Sequence, residues 1–165
     1  MKQTEEQLEL VTALLGEQTT LSLATTGPDG EAWVTPLFYL VDIVDKDPTL
    51  YWLSSGSSLH TLNLERTPRA AATVYASTEN WKEIRGAQMR GLVNKVTEPR
   101  RRRALIRAYS ERFKLGAVFR LAIRRSVLYE FQPEFFRYID NAKGFGYKFE
   151  LWRGPEGWGC RREDA

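Results

Sequence analysis

The sequence predicts a mainly β fold: a small antiparallel barrel or strongly curled sheet with flanking helices. Three observations carry that expectation. Six or more short runs rich in Val, Ile, Thr and aromatics are separated by turn signals. Only two or three segments show helical periodicity, and they do not alternate with strands as a parallel βαβ fold requires. The 165 residues suffice for one core and contain no repeat and no Gly/Ser- or Pro-rich linker at which to divide. One domain over 1–165 is therefore expected, with an N-terminal helix over 4–16, the barrel over about 19–152 and a tail over 153–165.

Residues 4–16, "TEEQLELVTALLG", place Leu8, Val11, Leu14 and Leu15 at helical spacing and stop at Gly16. Next, "TTLSLATT" and "EAWVTPLFYLVD" flank the turn "GPDG", which is the pattern of a hairpin. Pro36 lies inside the second run and has no N–H for a neighbouring strand. That strand is expected at an edge, at a bulge, or against a ligand. "TLYWLS" reads as a further strand and "SSLHTLNLERT" as a short helix carrying His60, the only histidine. "RAAATVYAS" and "AQMRGLVNKVT" are two more strands. "EPRRRRALIRAYSERFK" is a helix opened by Glu98 and Pro99, with Leu105, Ile106, Tyr109 and Phe113 on one side. Three β-like runs follow: "SVLYEFQP", "FFRYIDN" and "YKFELW".

Composition removes several chemistries. One Cys and one His leave neither a disulfide framework nor a protein-only zinc site. No run approaches the length of a membrane span, and the N-terminus is too acidic and interrupted for a secretory signal, so a soluble cytoplasmic protein is expected. There is no Walker loop, "GFGYK" offers only two glycines of a dinucleotide fingerprint, no G-x-S-x-G elbow accompanies His60, and no carboxylate pair stands out. The net charge of +3 is unevenly distributed. Residues 1–68 hold three Lys or Arg against ten Asp or Glu, whereas residues 69–165 hold twenty-one against eleven. The Arg-rich helix concentrates the excess. Without an aromatic-interleaved signature it reads first as a solvated helix face, with nucleic acid or an anionic small molecule as the sharper alternatives.

The stretch "YWLSSGSSLHTL" passes from strand through a hydroxyl-rich turn into a helix, which is the pattern of an anion site. If Ser57 caps the helix, the N–H groups of Ser58, Leu59 and His60 point outward, and the helix dipole favours a phosphate there. Ser54, Ser55 and Ser57 add hydroxyls, Gly56 permits close approach, and His60 supplies a charge or a neutral donor. The alternative is a capped surface helix whose serines satisfy only its own first turn.

From about Thr20 to Leu151 the order of these segments resembles the FMN-binding split-barrel superfamily, which includes pyridoxamine 5'-phosphate oxidase. "LATTGPDGEAWVTPLFYLVD" resembles its opening hairpin and "LYWLSSGSSLHTLNLERTPRAAATV" its strand, polar turn, helix and following strand. "WKEIRGAQMRGLVNKV" resembles a strand ending in Gly before a valine-rich continuation, and "NAKGFGYKFELW" the last strand of an uncharacterised bacterial branch. The resemblance implies a six-stranded antiparallel Greek-key barrel, a homodimer with FMN in a cleft between subunits, and a flavin-dependent oxidoreductase acting on a small substrate. It places Thr35, Pro36, Leu37 and Phe38 along the isoalloxazine, Ser54, Ser55 and His60 at the flavin phosphate, and Arg85, Gly86 and Gln88 on the strand facing both. Arg90 and Lys148 are further phosphate candidates that stand outside that set. Leu59 and His60 replace the Arg and Lys of the oxidase's phosphate pocket, its C-terminal Arg-x-His motif is absent, and no histidine lies beyond residue 60 as in haem-handling relatives. Pyridoxal phosphate production is not expected. A non-catalytic flavin or haem carrier of the same fold is the first alternative, and a nucleic-acid-binding barrel using the Arg-rich helix the second.

Overall fold

The structure is a computed structural model and describes residues 2–44, 47–116, 122–123 and 125–162. Among these, nine strands form a single antiparallel sheet: β1 (Thr20–Thr26), β2 (Ala32–Phe38), β3 (Leu40–Val44), β4 (Asp47–Ser55), β5 (Arg69–Tyr75), β6 (Arg85–Lys95), β7 (Ser126–Asp140), β8 (Lys148–Gly154) and β9 (Gly157–Arg162). Three α-helices pack against it: α1 (Lys2–Glu17), α2 (Leu59–Arg66) and α3 (Pro99–Arg112). No helix among the described residues is long and apolar enough to cross a membrane.

Strand order explains the shape. The main path runs β2-β1-β5-β6-β7-β4-β3, and β8 with β9 branches from β7. Laid flat, β2 and β3 would lie six spacings apart, about 29 Å. Only Tyr39 separates them in the chain, so the sheet curls until its two ends meet. The corner is pinned from both sides: the buried Tyr39 hydroxyl donates to the Leu15 carbonyl of α1 at 2.7 Å, and the Tyr109 hydroxyl of α3 donates to the Phe38 carbonyl at 3.2 Å.

Period-two alternation sends Leu21 and Leu23, Ala70, Ala72 and Val74, and Ala87 and Met89 to the inner face, where they meet Val11, Leu14 and Leu15 of α1. Trp52 is fully buried there, stacked on Tyr129 at 5.8 Å, as its size and burial preference anticipate. A second cluster of Tyr51, Val96, Leu105 and Leu128 seats α3 on the other side of β4.

Helix α3 begins as its sequence dictates, with the Glu98 carboxylate accepting the N–H groups of Arg100 and Arg101 and Pro99 in the first turn. Three of its six arginines hold the helix in place. Arg101 bonds Glu130 at 2.6 Å and the Tyr51 hydroxyl at 2.9 Å, Arg102 the Ser126 carbonyl at 2.9 Å, and Arg112 the carbonyls of Gly16 and Gln18. These bonds tie the helix to the sheet and to α1.

Four sequence expectations are corrected. The run 31–42 is two strands broken at Tyr39, because the curl needs its corner there. The runs on either side of Pro133 are one strand, β7, since β6 shifts register between Arg90 and Gly91 and brings the side-chain-free Gly91 opposite the proline. The tail contains β9, which forms a hairpin with β8, while Trp158 donates to Asp47 at 2.6 Å. The cap of α2 is Ser58, not Ser57, and it makes no side-chain capping bond. Of the three positions open to Pro36, the edge is observed: among the described residues β2 ends the sheet path and pairs with β1 alone.

Candidate functional site

The outer faces of β2, β1, β5 and β6 form one solvent-facing strip, a trough only in that small side chains in its middle lie between larger ones. Register aligns Pro36, Ser22, Thr73 and Gln88 in one cross-strand row and Val34, Ala24, Ala71 and Arg90 in the next. Each row spans three strand spacings, about 14 Å. The floor is made of small side chains. Large apolar groups border it: Val34, Phe38 and Tyr75 are 65%, 56% and 60% exposed, and the Phe38 ring lies 5.1 Å from that of Phe113 at the end of α3.

Alternation divides the expected ligand residues. Pro36, Phe38 and Gln88 share the trough, and Gly86 lies on the same face opposite Tyr75. Leu37 packs on the core, and Thr35, opposite the buried Leu23, shares its side of the strand. Arg85 has the parity of the buried Ala87 and pairs with Glu17 of α1 rather than entering the trough.

The serine turn lies elsewhere and largely satisfies itself. Ser54 and His60 are buried and share a hydrogen bond of 2.7 Å between Oγ and Nε2. Burial holds His60 below the usual imidazole range, which favours the neutral donor over the charge among the two roles the sequence left open. The Ser55 hydroxyl lies 3.0 Å from that of Ser57, and the Ser55 carbonyl accepts from the N–H and hydroxyl of Ser58. This turn pairs with Ser126 at the start of β7, whereas Gln88 pairs with Arg137 eleven residues on, about 36 Å along the strand. The two are thus far apart along β7, although α2, which the turn begins, packs against β1 and β2.

The buried pair makes a stability prediction. Ser54→Ala leaves the imidazole without its partner and should lower stability by about 1 to 2 kcal/mol in thermal or chemical denaturation. Because His60 is harder to protonate folded than unfolded, its contribution is complete above the unfolded value near 6.5 and is lost as pH falls below it. A variant that melts like the wild type at pH 7 would place no weight on this bond.

One feature of the trough was not legible beforehand. The guanidinium carbon of Arg90 sits 4.8 Å from the Phe135 ring centre and 5.4 Å from that of Trp152, and the two rings pack 4.5 Å apart. Two-residue spacing from Gln88 signals the shared face, but the rings are supplied by β7 and β8. Among the described residues no group of His, Cys, Asp and Glu could hold a metal ion.

The sequence profile of pyridoxamine 5'-phosphate oxidase matches residues 7–140. A UPF0306 protein of Cronobacter sakazakii is 33% identical over 129 residues, covering 78% of this chain and 83% of its own. Among solved structures, a pyridoxamine 5'-phosphate oxidase-related, FMN-binding protein from Nostoc punctiforme is similar with a TM-score of 0.69 at 13% identity, covering 97% of this chain and 94% of that one. The haem storage protein HutZ of Vibrio cholerae gives 0.62 at 18% identity, covering 75% and 87%. These structures share the curled antiparallel fold.

Proposed function

This chain belongs to the pyridoxamine 5'-phosphate oxidase family, and on that premise we propose that it binds FMN in the outer trough, between two copies of itself, as a flavin-dependent oxidoreductase for a small substrate. The observation that carries this reading is the trough itself: a floor of Ser22, Ala24, Ala71 and Thr73, with Pro36 and Phe38 at one side and Gln88 at the other. Small side chains leave room for a planar ring, Pro36 presents an apolar surface, and the Gln88 amide offers both a donor and an acceptor to ring heteroatoms. The exposed apolar border would cost little if a second copy covered it, which favours a homodimer closing the site.

The trough presents no histidine or cysteine to act as nucleophile or general base. Bound FMN supplies hydride or electron transfer at its ring, and the protein holds, orients and shields it. A carrier of haem ligated by histidine finds less support, because the single histidine is buried against Ser54.

The test is the absorption spectrum of the purified full chain with mass identification of any bound cofactor, followed by its mass in solution. Flavin absorption, FMN released on denaturation and a dimeric mass are expected. NAD(P)H turnover with an acceptor then separates an enzyme from a carrier. A colourless protein that takes up no added FMN would overturn the reading.

A further inference from the structure

We infer that Arg90 grips the phosphate of the bound flavin, in place of the serine turn and His60; this rests on the flavin reading above. A phosphate in the trough needs a cation on the same face whose N–H groups are not already engaged. The other expected groups do not qualify: Ser54 and His60 are bonded to each other, Arg85 is paired with Glu17, and Lys148 already has a partner. Arg137, opposite Gln88, lies 3.8 Å from Glu150.

Arg90 has no hydrogen bond or ion pair with the described residues; its contacts are the two aromatic rings. Lying over Phe135 and Trp152 restrains the guanidinium through its faces and leaves its N–H groups for a doubly accepting phosphate. Two-residue alternation along β6 puts Arg90 on the face of Gln88, opposite Phe135 of β7. Across the strands lie Ala71 and Ala24, too short to reach the guanidinium. Gln88 is two residues away on the same face, about 7 Å along β6, so one ligand can touch the amide with its ring and the guanidinium with its tail.

The test compares FMN with riboflavin, which lacks the phosphate, by quenching of flavin fluorescence on the full chain freed of flavin. Wild type should prefer FMN. Arg90→Ala should lose about 10- to 100-fold in FMN affinity, the range for one charge-assisted contact, and keep its riboflavin affinity. Arg90→Gln, which keeps a planar side chain without the charge, should lose the same preference, and Arg90→Lys should keep part of it. Retained riboflavin binding shows that the variants are folded. An Arg90→Ala protein with the wild-type preference for FMN overturns this inference and leaves the flavin reading standing. Wild type that binds neither flavin removes both.

Discussion

Replacing Gly91 by alanine should cost about 3 kcal/mol or more, at the upper end of what overpacking produces. A Cβ built there lies 2.0 Å from the Gln132 carbonyl oxygen and 2.8 Å from Cα of Pro133. Both are backbone atoms of the neighbouring strand, so no rotamer change relieves the clash. Strands β6 and β7 would have to separate where they pair most extensively, between Arg85 and Lys95. Because Gln88 and Arg90 are immediately upstream, the same variant should also weaken any flavin binding. Gly16 supplies the comparison. A Cβ there meets nothing within 4 Å, and its place in the last turn of α1 makes Gly16→Ala neutral or stabilising by up to about 1 kcal/mol. Denaturant midpoints decide the matter, and a Gly91→Ala protein as stable as wild type would mean that the glycine is not there for close approach.

Stability should also fall steeply above pH 10. Burial raises the phenols of Tyr109 and Tyr138 to about 12 and that of Tyr39 higher still. A pKa raised by folding gives stability that is fully present below the unfolded value near 10 and is lost as pH climbs through the folded value. Each such tyrosine contributes up to about 1.4 kcal/mol of loss per pH unit in that window, so the three together can exhaust the stability of a small domain before pH 12. Location makes the effect cooperative: Tyr39 and Tyr109 donate at the same corner, to Leu15 and to Phe38, where the two ends of the sheet meet. Tyr39→Phe should therefore be less stable at pH 7, through loss of the bond to α1, yet less sensitive to alkali. Unfolding midpoints between pH 9 and 12 test this, and a flat profile would show that these phenols are not shielded.

Much of the fold could be read locally. The α1 stripe, the GPDG hairpin and the Glu98–Pro99 start of α3 depend on residues a few positions apart, and each stands where the sequence places it. Pro36 limited its strand to an edge, a bulge or a ligand-facing position because a missing N–H is a property of the residue itself, and the sheet order shows the edge. The candidate site was half legible for the same reason: alternation alone puts Pro36 and Phe38 on one face of β2 and Gln88 and Arg90 on one face of β6. The serine turn carries the right chemistry for a phosphate in its hydroxyls and its histidine, and only packing reveals that Ser54 and His60 bond one another.

The sequence by itself determined the class of the fold, the start of its third helix and the faces of its central strands, since hydrogen-bonding capacity and two-residue periodicity are local. Tertiary structure alone decided that the chain breaks at Tyr39, that the run through Pro133 is one strand, and that Arg90 meets Phe135 and Trp152. Those outcomes depend on the register of strands distant in the chain and on the curl that joins the sheet's ends, and no single segment carries either.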